Sequence, residues 1–218
     1  MSKKGKDRLV VLSGGMDSTT LMYDYKDEIG LAVSFSYGSK HNEREISSAK
    51  ELSRECGIKH LHCPLDFVAE NFKSDLLKTG NDIAQGIYSE AEMKKTVVPF
   101  RNGIMLSIAI GLAESRNMKL VMYGAHSGDH AIYPDCRPKF IEAMALTAQT
   151  GTYKRVSISS PYASMSKREI GARGHDLGVP FEKTYSCYVG GEKHCGLCPT
   201  CIERKKALKG FDYTDYEN

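Results

Sequence analysis

The sequence predicts an α/β fold: an open, mainly parallel sheet with helices on both faces, followed by a small C-terminal metal-binding region. Three observations carry this. Short apolar runs alternate with longer helix-favouring stretches along most of the chain, as strands joined by helical crossovers do. Two of the predicted strands open into glycine-containing loops, after Leu12 and after Tyr123, where open parallel sheets place their ligands. Four of the seven cysteines crowd between Cys187 and Cys201.

Each element follows from local pattern. Arg8 to Leu12 is a short apolar run closed by Gly14 and Gly15, and reads as a buried strand. Asp17 to Tyr25 reads as helix, Leu31 to Tyr37 as the second strand, Glu43 to Cys56 as a charged helix ended by Gly57, and Ile58 to Cys63 as the third strand. Residues 64–99 show a helical stretch over Asp66 to Lys78 and then no period, and are expected to form a long loop or lid. Gly103 to Glu114 is apolar on nearly every face and long enough for a core helix. Leu120 to Tyr123 is a strand, Lys139 to Gln149 a helix and Val156 to Ser159 a strand. Ser166 with Glu169 forms a capping-box pattern that opens a helix to Asp176, closed by Gly178 and Pro180.

At 218 residues the chain suits one sizeable core with a small appendage, divided here as 1–180 for nucleotide binding and catalysis and 181–218 for the cysteines. Hydrophobic residues make up 41% and charged residues 26%, which excludes a disordered chain. A net charge of +3 gives no basis for nucleic-acid or membrane binding. No apolar run approaches a membrane span. The polar N-terminus leads straight into a strand, so no signal peptide is expected and the cytoplasm is the expected location.

After the first strand the chain reads Ser13-Gly14-Gly15-Met16-Asp17-Ser18-Thr19-Thr20. Two glycines allow a tight turn and a close approach to an anion. The hydroxyls and the N–H groups opening the next helix supply donors. A Walker A loop would need a lysine that is absent here. The pattern SGGxDS is similar to the PP-loop of the ATP pyrophosphatases. That resemblance implies ATP split to AMP and pyrophosphate, an adenine nucleotide alpha-hydrolase-like fold, and nucleotide contacts along Leu12, Ser13, Gly14, Gly15, Met16, Asp17, Ser18, Thr19, Thr20, Leu21 and Met22. A carboxylate at Asp17 beside polyphosphate is repelled unless a divalent cation lies between them, so Mg²⁺ is expected.

Cys187, Cys195, Cys198 and Cys201 lie within fifteen positions, with Gly196 and Pro199 in the intervening turns. Four close thiols in a chain without a secretory signal point to one tetrahedral structural Zn²⁺. An iron–sulfur cluster and a ligand exchange with His194 remain as alternatives.

Further segments extend the resemblance to a family. Tyr37-Gly-Ser-Lys-His41 with Glu45, Val98-Pro-Phe-Arg-Asn102, Tyr133-Pro-Asp-Cys-Arg137 followed by Phe140, and Thr184-Tyr-Ser-Cys187-Tyr188 with the CGxCxxC at Cys195 and Arg204 after it resemble the 7-cyano-7-deazaguanine synthases of queuosine biosynthesis. The resemblance implies a carbon–nitrogen ligase that adenylates 7-carboxy-7-deazaguanine, takes ammonia to the amide, and adenylates the amide to reach the nitrile. A homodimer is also implied. Asp17, Arg101, Asp129, Arg137 and Lys167 are then the expected catalytic residues. Lys40, Arg101, Asn102, Tyr133, Asp135, Arg137 and Arg204 are the expected substrate contacts. Positive groups would neutralise phosphate or carboxylate, Asp129 or Asp135 would accept from guanine-like N–H groups, and Tyr133 would stack on the base. His126 or His130 would serve as general base.

Plainer roles stand beside these: Asp135 as an N-cap for the helix at Lys139, His126 as a loop histidine, Lys167 and Arg101 as surface residues. One departure from the family is Phe100, where many members carry glycine; a large ring there is expected to reshape the pocket wall or close over the nucleotide. The nearest rival is a PP-loop tRNA-thiolating enzyme with an iron–sulfur cluster. No RNA-binding extension or basic surface supports it. A nonenzymatic nucleotide-binding module conflicts with the intact loop and Asp17.

Overall fold

A computed structural model of the chain describes residues 5–86, 90–129 and 133–218. Its strands and helices run β1 (Arg8–Val11), α1 (Met16–Asp24), β2 (Ile29–Ser36), α2 (Asn42–Glu55), β3 (Lys59–Pro64), α3 (Asp66–Asn71), α4 (Glu90–Lys95), α5 (Arg101–Ser115), β4 (Leu120–Met122), α6 (Pro138–Gly151), β5 (Ser157–Ser159), α7 (Lys167–Asp176) and α8 (Pro199–Ala207). The sheet order is β3-β2-β1-β4-β5, and every neighbouring pair is parallel. The chain winds outward from β1 to β3, then returns to β4 on the other side. The order therefore reverses between β1 and β4, which opens a crevice at their carboxyl ends.

Alternation along β1 sends Leu9 to one face and Val10 to the other. Leu9 packs with Leu31, Val33 and Val121 against Leu106 and Ala109 of α5. Val10 packs with Ala32 and Met122 against Leu21 of α1, Leu52 of α2 and Ile170 of α7. Helices thus cover both faces, as a two-sided buried parallel sheet requires. Ser166 caps α7: its side chain accepts from the Glu169 N–H while the Glu169 carboxylate accepts from the Ser166 N–H at 2.7 Å. Among the described residues no helix is long and apolar enough to cross a membrane.

The structure corrects two expectations and adds one helix that the sequence did not suggest. The stretch 64–99 is no free lid over its described part: the helix after Asp66 stops at Asn71, and Leu76 and Leu77 enter the main core, with Leu77 bridged to Ser39. Residues 87–89 of that stretch lie outside the described residues. Pro199–Ala207 forms a helix that the cysteine pattern obscured; Pro199 occupies its first turn, where a missing N–H costs nothing. Phe100 sits in the left-handed region at φ 52°, the conformation that glycine adopts freely. The residue is 59% exposed, and its ring lies over Gly103 and meets Phe140 edge-on at 6.0 Å between centroids. It turns outward and neither lines the cavity described below nor closes over it.

Candidate active site

The crevice between β1 and β4 is a cavity whose floor is the turn after β1 and whose second wall is the loop after β4. The left-handed backbone at Gly14 shapes the turn (φ +84°). A Cβ there would lie 2.3 Å from the Glu45 carbonyl oxygen, so only glycine lets α2 pack this close. Ser18 Oγ accepts the Ser13 N–H at 3.2 Å, and Ser13 Oγ accepts the Gly15 N–H at 3.2 Å. The first bond of α1 runs from the Thr19 N–H to the Gly15 carbonyl. The N–H groups of Met16, Asp17 and Ser18 therefore have no acceptor inside the helix, and no side chain caps it. A helix start of this kind attracts anions.

The expected nucleotide run divides in two. Leu12, Ser13, Gly15, Met16, Asp17 and Ser18 reach the cavity. Gly14 packs under α2, while Thr19, Thr20, Leu21 and Met22 are buried behind the turn.

Asp17 stands at the end of the cavity formed by the helix start. Its Oδ2 lies 3.6 Å from Lys167 Nζ and 3.8 Å from His126 Nε2. Its Oδ1 is buried with no hydrogen-bond partner. An orphaned carboxylate oxygen is costly unless something absent from the chain engages it, and a divalent cation shared with polyphosphate suits that atom. Lys167, delivered by the first turn of α7, also contacts Glu203 at 3.2 Å. His126 Nδ1 accepts the Gly128 N–H at 3.1 Å, so in the neutral ring the proton sits on Nε2, facing Asp17. That geometry makes His126 a donor rather than the expected base. Asp129 closes a 3-10 turn at Ser127–Asp129, and its side chain, like all of His130, lies outside the described residues.

A second group of side chains lines the same cavity: Tyr37, His41, Glu45, Arg101, Tyr133 and Tyr188. Arg101 donates to the Tyr37 hydroxyl at 2.9 Å and lies 5.4 Å from that ring's centroid. Tyr188 stacks on His41 at 5.3 Å, and its hydroxyl lies 3.3 Å from that of Tyr133. Glu45 Oε2 is 3.5 Å from His41 Nε2. Burial pushes the Glu45 carboxyl up to about 8, with the Arg101 guanidinium opposing. Burial first, then Arg101, pulls His41 down to about 3. The motif that carries His41 and Glu45 gives no sign of this chemistry by itself, because the arginine that shapes their environment arrives from another helix.

Four expected substrate contacts are engaged by other groups, and a fifth lies off the cavity. Lys40 Nζ is caged by the carbonyls of Asp75, Leu77, Asn81 and Gly80 at 2.7, 2.7, 3.0 and 3.3 Å, and so fastens the segment after α3. Asp135 Oδ2 accepts the Asn102 N–H at 2.8 Å. It caps the start of α5, not the helix at Lys139. Asn102 still borders the cavity, but its amide nitrogen is turned to Cys136 Sγ at 3.2 Å. Arg204 is 0% exposed and donates to the Phe181 carbonyl, Ser186 Oγ and Thr214 Oγ1. Arg137 is the exposed N-cap of α6 and is not among the described residues lining the cavity.

The four cysteine sulfurs all lie within 4.8 Å of one another. Cys195 and Cys201 are 3.9 Å apart, and Cys187 and Cys198 4.0 Å. Zinc–sulfur bonds of roughly 2.3 Å give a tetrahedron with edges of about 3.8 Å, so the set fits one ion with no open position. The N–H groups of Cys195 and Cys198 point at the sulfurs of Cys187 and Cys195. His194 is turned away from the sulfurs, its Nε2 accepting the Ser186 N–H at 3.1 Å, which removes it from the ligand set. This unit is stitched to the phosphate turn: the Tyr185 N–H donates to the Gly14 carbonyl at 2.9 Å, and Tyr185, Ser186 and Thr200 border the cavity.

Known proteins match this architecture at two levels. The model of the queuosine biosynthesis protein QueC family matches residues 7–212. The 7-cyano-7-deazaguanine synthase of Porphyromonas gingivalis strain ATCC 33277 is 52% identical over 218 residues, covering 99% of both chains. That of Desulfotalea psychrophila is 51% identical over 215 residues, covering 96% of this chain and 98% of the relative. Among solved structures, NMN synthetase from Francisella tularensis superposes with a TM-score of 0.52 at 15% identity, over 86% of this chain and 69% of that one. At that identity the likeness speaks to the fold alone.

Proposed function

The chain belongs to the family of the queuosine biosynthesis protein QueC, and from that premise we propose that it is an ATP-dependent carbon–nitrogen ligase converting 7-carboxy-7-deazaguanine and ammonia to 7-cyano-7-deazaguanine. The observation that carries the phosphate chemistry is Asp17. Its unpartnered Oδ1 lies beside a helix start rich in N–H groups, with Lys167 at hand.

In this reading the substrate carboxylate attacks the α-phosphorus of ATP, and pyrophosphate departs. Ammonia then displaces AMP, leaving the amide. The amide oxygen attacks a second ATP, again releasing pyrophosphate. Breaking the carbon–oxygen bond to AMP with loss of both N–H protons leaves the nitrile. One phosphate site serves both adenylations, since each activates an oxygen on the same carbon. The turn's N–H groups and Lys167 hold the departing pyrophosphate, whose charge grows in the transition state. Asp17 would hold Mg²⁺, which supplies charge neutralisation between carboxylate and phosphates. Arg101, held by its bond to Tyr37, would pair with the substrate carboxylate, and Tyr133, which lines the same cavity, would flank the flat base. Zn²⁺ would be held by Cys187, Cys195, Cys198 and Cys201 as a closed structural tie. A cytoplasmic homodimer completes the proposal, and sedimentation tests its stoichiometry.

Mass spectrometry of a reaction holding 7-carboxy-7-deazaguanine, ATP, Mg²⁺ and ammonium tests the activity. The nitrile is expected with two AMP per product. Absence of both amide and nitrile would reject the assignment.

A further inference from the structure

The ligase chemistry creates a problem of protons. Ammonium must shed protons to attack the acyl adenylate. The adenylated amide, R–C(O–AMP)=NH₂⁺, must lose two from nitrogen as its carbon–oxygen bond breaks. Something on the cavity wall must accept at least one.

Among the described residues lining the cavity, four side chains carry an imidazole or a carboxylate: Asp17, His41, Glu45 and His126. Asp17 faces Lys167 and the phosphate turn, and serves charge rather than proton transfer. The acceptor nitrogen of His126 is taken by the Gly128 N–H. His41 is only 2% exposed and stacked under Tyr188. Glu45 remains. It rises from the first turn of α2 with 16% of its side chain exposed, beside Arg101 and apart from the Asp17 cluster.

We propose that Glu45 is the proton acceptor for the nitrogen-handling steps, taking an N–H proton as AMP leaves the adenylated amide, with His41 and Arg101 as its positioning partners. The inference rests on the ligase reading above. The step balances: the carbon–oxygen bond breaks toward AMP, one N–H pair becomes part of the carbon–nitrogen triple bond as its proton passes to Glu45, and the second proton leaves to solvent.

The surroundings suit that task. The groups facing Glu45 are His41 on its own helix, Tyr37 at the end of β2, Arg101 on α5, and Tyr188 behind His41. At near-neutral pH only Arg101 among these carries charge, because His41 is held neutral. A carboxyl pushed up to about 8 by burial is a stronger base when ionised than an exposed glutamate, close to the operating pH where acid–base catalysis works best. Activity carried by its carboxylate falls as pH drops through that value.

The test supplies the amide, 7-amido-7-deazaguanine, with ATP, which removes ammonium's own titration from the pH profile. The wild-type rate of nitrile formation is expected to fall about tenfold per pH unit below about 8. Glu45→Gln should lower kcat by about 100-fold or more and lose that limb, while ATP affinity, metal content and melting temperature stay near wild type. Formate added to Glu45→Ala should restore part of the rate in proportion to its concentration. Wild-type kinetics and an unchanged limb in Glu45→Gln would overturn the inference and leave the ligase reading intact. A flat wild-type amide profile between about pH 6 and 9 would overturn it even if the variants failed to fold. No nitrile from wild type with either acid or amide would bring down the ligase reading, and the inference with it.

Discussion

The phosphate turn rests on a sheet in which Leu9, Val10, Ala32 and Val33 are fully buried between two layers of helices. The segment from Tyr185 to Tyr216, by contrast, gathers Tyr185 and four cysteines into a small cluster edged by Ile83, Tyr188 and Tyr216. Sheet packing can hold the first region rigid without help. The second has too little apolar area for that, and relies on a metal-ready thiol set and on Arg204 spanning Phe181, Ser186 and Thr214. Both border one cavity, joined at Tyr185 and Gly14. Where apolar burial supplies the order, polar residues such as Asp17 can be left unsatisfied for chemistry. Where it does not, polar residues such as Arg204 are consumed by holding the chain together.

The contrast breaks most sharply at Cys198. Cys198→Ser should lose bound zinc and lower the melting temperature by more than 10 °C. Binding energies of about 10–16 kcal/mol in isolated zinc modules set the upper limit. Chelator-monitored metal content and calorimetry check this; full metal with native stability would place the order of this segment elsewhere. Asp17→Ala should do the opposite. Turnover should fall by about 1,000-fold, some 4 kcal/mol, with a melting temperature unchanged or raised, since an orphaned buried oxygen is removed. Normal AMP output from that variant would take Asp17 out of the chemistry.

Arg204→Met separates the two regions by a smaller step. It removes the charged donor shared by the Phe181 carbonyl, Ser186 Oγ and Thr214 Oγ1, although Thr184 still donates to that carbonyl, at a cost of about 3 kcal/mol in urea unfolding. An unchanged midpoint would show that the buried arginine is not a tie. The smallest effect lies on the sheet side: Ser166→Ala should cost about 1 kcal/mol through the lost cap, a melting shift of about 2–4 °C in a chain this long. Because the cap also aims the first turn that carries Lys167, a shift in ATP affinity alone, without loss of stability, would contradict the capping role.

Local patterns carried much of this structure. Apolar runs located the inner strands β1, β2 and β4, because a strand buried on both faces needs little besides its own side chains, while the edge strand β3 was legible with no fully buried residue of its own. The turn at Ser13 and the four thiols were legible for the same reason: each is a short continuous segment. Long-range contacts were not. Nothing local to Asp135 says that its carboxylate ends on Asn102, nor that Lys40 meets four carbonyls 35 to 41 residues further on. The helix at Pro199 was hidden because its first turn is also a metal motif. Phe100 became intelligible only with its backbone angle. Glycine suits a left-handed position, and the phenylalanine there carries a strain of about 1 kcal/mol that its contact with Phe140 offsets.

Adenylation and phosphoryl transfer differ in which phosphate bond breaks at the Ser13 turn. With α- and γ-labelled ATP in separate reactions containing the carboxylate substrate and ammonium, label should emerge in AMP and in pyrophosphate respectively, and both should form about 1,000-fold more slowly with the Asp17→Ala enzyme. Label appearing in ADP and orthophosphate would contradict adenylation and with it the role assigned to the entire phosphate end of the cavity.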